Sequence, residues 1–406
     1  MSPKNIKVLF RLLLALTVPM LLSGCWERRE LNELAFVLGM GLDKTESGYR
    51  VSLQVVIPSS ISSQTVGGTG GGVPVVVTAF NVPTIYEAQR SYNLVNSRQC
   101  YYGHIRILVI GEELARSGLS ETLDVLKRSR EPRNDYYAMV AKDSTAEDVL
   151  KVLTPLNKLP ANKLFESLDQ SYKITAKTVA VSLNSFVDDL LYEGINPVLT
   201  GVELSGSASE GEKKSNVEVS TPKAIIHFSN VAVFKKDRMV GWLNKNETIG
   251  YNYVTNKVVK TSGPVEGDDG RPIVIEVLQT STKRKVKIID GEPHIYIHVK
   301  AVCNVEEVQS KDNLEAERVI TQLERKSEER IVLRMKTAVE QINEQYNVDI
   351  MGFGQSIYRA SPKTWARLQQ KKGDNYLKSL PIHYKASVSI NRIGVTDKSF
   401  IDDIKE

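Results

Sequence analysis

His294-Ile295-Tyr296-Ile297-His298-Val299-Lys300-Ala301-Val302-Cys303-Asn304-Val305 is followed, after a short polar break, by the span from Asp312 to Tyr346. The first stretch alternates apolar and polar side chains at period two, which predicts a long strand with Ile295, Ile297 and Val299 on its buried side. The second places Ile320, Leu323, Ile331, Met335, Ala338 and Ile342 on one face of a helix over about 312–346, with charged residues around the rest. Such a helix spans on the order of 50 Å and must cross an entire sheet face. A coiled coil is the rival reading, but the stripe lapses at Ser327 and heptads are not sustained. The fold class is therefore α+β, here with a largely antiparallel sheet.

Working outward, this unit begins at a hairpin of Lys223–Phe234 and Met239–Leu243. Residues 273–279 and 283–289 read as another hairpin turning at Thr280-Ser281-Thr282. Asp349–Gly354 reads as a turn and short strand, Ser361-Pro362-Lys363 opens a last helix carrying Trp365 and Leu368, and Lys385–Ile393 closes as a strand. Upstream, the pattern changes. Strands over 34–42, 49–57, 73–80, 104–110 and 136–141 alternate with helices over about 85–97, around Leu119, Leu123 and Leu126, and from Ser144 to near Leu153. Thr84-Ile85-Tyr86-Glu87 reads as a capping box. Alternation of this kind predicts a mixed α/β sheet with parallel neighbours where helices cross over. Helical segments over 161–172 and 185–192 and an extended 197–205 form a small middle unit. Gly206–Ser220, almost without apolar residues, reads as an exposed linker. The expected division is a signal peptide over 1–24, a mixed α/β domain over 25–158, a small middle domain and linker over 159–220, and an α+β domain over 221–406.

The amino terminus decides where this body works. Lys4, Lys7 and Arg11 precede an apolar run from Leu12 to Leu22, and then comes Leu22-Ser23-Gly24-Cys25. Spanning hydrocarbon takes roughly 20 apolar residues; this run is about half that and contains Pro19, so it reads as a signal peptide. An apolar residue, two small ones and a cysteine make a cleavage site of the bacterial lipoprotein type, with Cys25 as the lipidated first residue. Two acyl chains suffice for stable anchoring where one gives only marginal binding. Removing the first 24 of 406 residues leaves 382, enough for two or three domains at roughly 100–200 residues each. Removing Lys4, Lys7 and Arg11 takes the formal charge from +5 to +2, too little to argue for a nucleic-acid partner. Cys100 and Cys303 have no metal-ligand spacing, and nothing in the sequence fixes whether they pair.

No catalytic constellation stands out. There is no Gly-x-Ser-x-Gly and no His-Glu-x-x-His. His294 and His298 share the wet side of a strand, but no Cys or carboxylate offers a nearby third ligand. Asp188-Asp189 and Asp268-Asp269 resemble dyads, yet neighbouring side chains diverge and solvated surface explains them. The glycine run 67–72 lacks a following Lys-Ser/Thr and reads as a hairpin loop, not a phosphate cradle. Lys283-Arg284-Lys285 with Lys287 is the densest basic run. It reads as a solvated strand edge, although beside a bilayer each such charge adds about 1 kcal/mol toward anionic lipid.

Several stretches line up with one family. The segment from Leu22 to Ala35, with Cys25-Trp26-Glu27-Arg28-Arg29-Glu30-Leu31 at its centre, resembles the mature start of the Ger(x)C spore germination lipoproteins. Gly103-His104-Ile105-Arg106-Ile107-Leu108-Val109-Ile110-Gly111-Glu112-Glu113-Leu114-Ala115 and the following Leu119–Arg133 are similar to it too. So are Gly352-Phe353-Gly354, Pro362 and Trp365 near the far end. Glu27 stands where the family often has Asp, and Lys371-Lys372-Gly373 lacks a second Trp often found there. The resemblance implies three mixed α/β domains and a non-catalytic, lipid-anchored C subunit of a nutrient germinant receptor. It further implies integral-membrane A and B subunits as partners and a place on the outer face of the spore inner membrane. No cofactor is implied beyond the diacylglyceryl and N-acyl lipid on Cys25. A lipid-anchored extracytoplasmic solute-binding protein is the alternative, and an envelope hydrolase a third reading.

Overall fold

The computed structural model describes residues 30–58, 60, 72–129, 131–133 and 135–392, and 3–5, 8 and 10 before them. Cys25, most of the expected signal peptide, the glycine run before Gly72 and the end of the last expected strand at Ile393 lie outside the described residues. The strands are β1 (Leu34–Thr45), β2 (Gly48–Val56), β3 (Val75–Val82), β4 (Gln99–Tyr101), β5 (Ile107–Gly111), β6 (Tyr137–Lys142), β7 (Val198–Gly206), β8 (Ala224–Lys235), β9 (Arg238–Leu243), β10 (Thr261–Glu266), β11 (Pro272–Ile289), β12 (Glu292–Val308) and β13 (Ile382–Arg392). The helices are α1 (Ile85–Val95), α2 (Glu112–Ser117), α3 (Ser120–Arg128), α4 (Ala146–Lys151), α5 (Pro160–Thr175), α6 (Leu183–Leu191), α7 (Ala208–Gly211), α8 (Lys245–Val254), α9 (Glu317–Gln345), α10 (Phe353–Ala360) and α11 (Pro362–Lys372).

Nine strands build a large sheet in the order β3-β2-β1-β5-β6-β7-β8-β9, with β4 beside the start of β1. Its centre, β1-β5-β6-β7, is parallel and its two wings are antiparallel hairpins. Parallel neighbours need crossover connections, which α2–α3 and α4–α6 supply. With helices on both faces, the central strands read as apolar runs: every residue of β5 is buried. Leu108, Ile110, Ala138 and Val140 face one core, under α1, α3 and α6, while Ile107, Val109, Met139 and Ala141 face the other, under α4 and α5. Strands from both sides of residue 158, and from both sides of residue 220, belong to this one sheet.

The second sheet, β10-β11-β12-β13, is antiparallel except for the last pair. Ile295, Ile297 and Val299 are at most 1% exposed, as their alternation predicts. α9 runs beside β13, and its Glu328 and Glu324 accept hydrogen bonds from the backbone N–H of Val388 (3.0 Å) and Ile390 (2.9 Å). Two carboxylates thus blunt an edge that would otherwise be open for pairing. α8 sits under α9, where Gly250 allows contact: a Cβ there would stand 2.3 Å from the Arg334 carbonyl oxygen. The first core runs unbroken from the large sheet to the small one.

Five local expectations are corrected. Gly206–Ser220 is mostly exposed, as its composition predicts, but it is not a featureless linker. It holds α7 and a 3-10 turn over Lys214–Asn216, fastened by Asn216, which is 2% exposed. Its amide donates to the carbonyls of Leu153 (3.1 Å) and Ala224 (3.0 Å) and accepts from Ala224 N–H (3.0 Å). Residues 272–289 form one continuous strand with irregularities between Val274 and Ile275 and between Val277 and Gln279, and no turn occurs at Thr280–Thr282. Thr84 precedes α1 without a side-chain cap bond. The long helix begins at Glu317, because Asp312 turns its carboxylate to Asp268 N–H (3.0 Å) and Ser310 Oγ (2.8 Å). No strand follows Met351: residues 353–360 are α10.

Candidate functional site

The two family-like stretches distant in sequence from the amino terminus each surround a buried carboxylate. In the large sheet Asp43, near the end of β1, accepts from Ala146 N–H (2.8 Å) and Glu147 N–H (3.2 Å) and so caps α4. Gly111 leaves it room, since a Cβ there would lie 2.3 Å from Asp43 Oδ1. Burial pushes the Asp43 carboxyl up, against the lowering effect of those two amide donors. Glu112, next in the chain, accepts from the Trp242 indole (3.1 Å) and from Arg116, tying the head of α2 to β9.

Asp349 is the second and deeper case. α9 ends at Gln345, Asn347 with a φ of 48° turns the chain, and the buried run Val348–Met351 leads to α10. The Asp349 carboxylate accepts from Phe353 N–H (3.1 Å), Gly354 N–H (2.7 Å) and the Tyr376 hydroxyl (2.5 Å). A negative group at a helix N-terminus satisfies orphan amides and complements the dipole. Burial raises the Asp349 pKa, and the three donors together with the Arg284 charge only partly offset it. Burial likewise raises Tyr376, beside the Asp349 charge. Arg284 itself points inward, over the Phe353 ring (5.8 Å), and donates to the Met351 carbonyl; burial lowers its pKa. That corrects its reading as part of a solvated strand edge.

The sequence Gly352-Phe353-Gly354 now has a physical reason at each position. Gly352 takes φ 69°, Phe353 is fully buried, and Gly354 lets the Trp365 indole approach. Trp365 packs edge-to-face on Tyr376 (5.2 Å) and donates to Glu193 (3.0 Å). Pro362 opens α11 behind the Ser361 cap. Gly194 closes the joint by accepting from Gln355 N–H (2.9 Å), while Asn196 N–H donates to the Asp349 carbonyl (2.8 Å). Beside it lies a cleft of about 590 Å³, lined among others by Tyr192, Glu193, Lys235, Trp365 and Asp374. On its rim Lys235 pairs with Asp374 at 2.8 Å. These groups are occupied with one another; the arrangement locks segment 193–196 onto the C-terminal helices.

The histidines fall where alternation places them. His294 and His298 lie on the open face of β12, and parallel pairing with β13 brings His383 to His294 (3.2 Å), stacked on Tyr296 (4.4 Å). His298 reaches Ser387 instead (2.9 Å). Among the described residues no group of three or more His, Cys, Asp and Glu is placed to hold a metal. Cys100 and Cys303 are both buried free thiols, with burial pushing each up to about 12. Asp189, expected on solvated surface, is partly buried beside Lys257, and burial raises it. Sequence reasoning missed Asp349 and Tyr376. The cue was present in Asp349 standing four residues before the paired glycines' phenylalanine.

Residues 27–204 match the family model for the spore germination protein N-terminal domain, and residues 229–394 match the spore germination B3/GerAC-like C-terminal domain. Spore germination protein KC of Bacillus subtilis is 30% identical over 98% of this chain and 99% of its own length. Spore germination protein B3 of the same organism is 24% identical over 98% of this chain and 100% of its own. The crystal structure of the GerBC protein shares the fold, with a TM-score of 0.53 at 20% identity over 87% of this chain and 96% of that one. The residues of the Asp349 joint and of the β5–α2 segment lie within those matched domains, and the chain belongs to the Ger(x)C family of spore germination proteins.

Proposed function

We propose that this chain is a non-catalytic C subunit of a spore nutrient germinant receptor. It is anchored by lipid on Cys25 to the outer face of the spore inner membrane and is needed for receptor assembly and the germination response. The observation that carries this reading is the family match along both domains, which begins two residues after Cys25 in a lipoprotein-type cleavage site. The joint around Asp349 supports the non-catalytic part: its acids and bases are consumed in capping and packing, as a rigid docking body requires. Among the described residues no helix is long and apolar enough to cross a membrane. Integral-membrane A and B subunits are the partners this body would meet.

The amino-terminal peptide of the protein recovered from spore membranes is expected to begin at Cys25 and to carry a thioether-linked diacylglyceryl group, with or without an N-acyl chain. Mass spectrometry reads this directly. A free Cys25 thiol, or a mature terminus elsewhere, overturns the anchor.

A further inference from the structure

The open face of the small sheet is a lysine field. On one side of β11, β12 and β13 the side chains turn to α8, α9 and α10; on the other, over the part of β11 from Ser281 to Lys287 and the strand residues paired with it, no described element covers them. Strand pairing sets Lys283, His298 and Lys385 in one row across this face. The next row holds Lys285, Tyr296 and His383, and the row on the other side holds Ser281, Lys300 and Ser387. Lys287 stands at the end, its ammonium 4.9 Å from the Tyr296 ring centre. Lys283, Lys285, Lys287, Lys300 and Lys385 are all exposed, and among the described residues none has a carboxylate partner. Rows lie about 7 Å apart and strands about 5 Å apart, so the charges form a dense, nearly flat array.

We propose that this face rests on the anionic headgroups of a phospholipid bilayer. The chemistry of the array selects a membrane over an acidic protein. Packed protein interfaces are enriched in arginine and aromatic anchors and depleted in lysine. This face has lysines, a single tyrosine and no arginine in its central rows, because Arg284 turns inward. Lysine is a hydrated point charge that needs no fixed bidentate partner, which suits a fluid layer of phosphates. The two chains of a diacylglyceryl group suffice to hold the protein at a bilayer, so the face would orient the tethered body on it; the proposal deepens the reading of a tethered receptor subunit and rests on it for its setting.

The test uses the full chain carrying Cys25→Ser, so that no acyl chain contributes and failure of the anchor is not confused with failure of the face. Partition is measured onto vesicles of phosphatidylcholine alone and of an equimolar phosphatidylcholine–phosphatidylglycerol mixture, at lipid levels that leave part of the protein free. The amino-terminal segment, with its own Lys4, Lys7 and Arg11, is the same in every variant, so its contribution cancels when each variant's ratio of the two partitions is compared with the parent's. Lys283→Gln, Lys285→Gln and Lys300→Gln together should lower that ratio on the order of 100-fold. Lys158→Gln, Lys177→Gln and Lys378→Gln, an exposed set elsewhere, should leave it within a few fold. Rising salt should abolish the preference of the parent chain, a reading that needs no variant to fold. Equal loss in both triples, no loss in the first, a salt-independent ratio, or retention by soluble polyglutamate with no preference for anionic vesicles each overturns the proposal.

Discussion

Asp349→Ala is expected to cost about 3–5 kcal/mol of folding stability, the largest effect of any single side-chain truncation at the joint. The substitution strands the N–H groups of Phe353 and Gly354 and the hydroxyl of Tyr376, and each buried donor left without an acceptor costs about 1–3 kcal/mol. Urea denaturation reads the loss as a lower midpoint at unchanged slope. Asp349→Asn keeps one acceptor oxygen and the shape of the side chain, and should lose roughly half as much. The pH dependence follows in sign from burial. A carboxyl whose folded pKa is raised holds its proton longer in the native state than in the unfolded chain. Its contribution is therefore fully present below the unfolded carboxylate pKa and is lost as pH rises through the folded value. Asp349→Asn should flatten that decline on the mildly acidic side; an unaltered slope would show that the carboxyl titrates normally.

Gly194→Ala should be nearly as damaging, for a different reason. Gly194 has φ 73°, and a Cβ there would lie 2.4 Å from both Gln355 N and the Gly354 carbonyl carbon. Backbone cannot swing aside as a side chain can, so segment 193–196 must lift from α10. It would break the Gln355 N–H bond to Gly194 and draw Glu193 from the Trp365 indole. Gly270 separates the two penalties, because its φ of 76° is the same while nothing lies within 4 Å of its would-be Cβ. Gly270→Ala then costs only the left-handed backbone, about 1 kcal/mol, and Gly194→Ala about 3 kcal/mol or more. Equal losses in the two variants would show that the joint yields freely.

How much of this was legible in the sequence depends on the range of the interaction. Alternation over 294–305 marks a half-buried strand because period two is a local property, and the fully apolar Ile107–Ile110 marks a strand covered on both faces. The 3.6-residue stripe marks α9, including Ser327, where the apolar pattern lapses yet the residue is 5% exposed. What escaped depends on partners far along the chain. Asn216 is buried because Leu153 and Ala224 supply its hydrogen bonds, so a polar composition does not imply exposure there. His383 meets His294 only through a parallel pairing of strands 89 residues apart. Arg284 turns inward only because Met351 and Phe353 arrive from the other end of the domain. The family-like stretches were visible, but the reason for Gly111 and Gly354, which is room for Asp43 and Trp365, was not.

We propose a lipid-tethered body that works by docking on membrane partners. Affinity purification of the protein from detergent-solubilised spore membranes tests it most directly, with the parent chain and Cys25→Ala side by side. The A and B subunits are expected to co-purify with the parent chain, and Cys25→Ala to lose them and the nutrient response together. Full recovery of both subunits and a normal response with Cys25→Ala, or a parent chain that emerges alone, would contradict it.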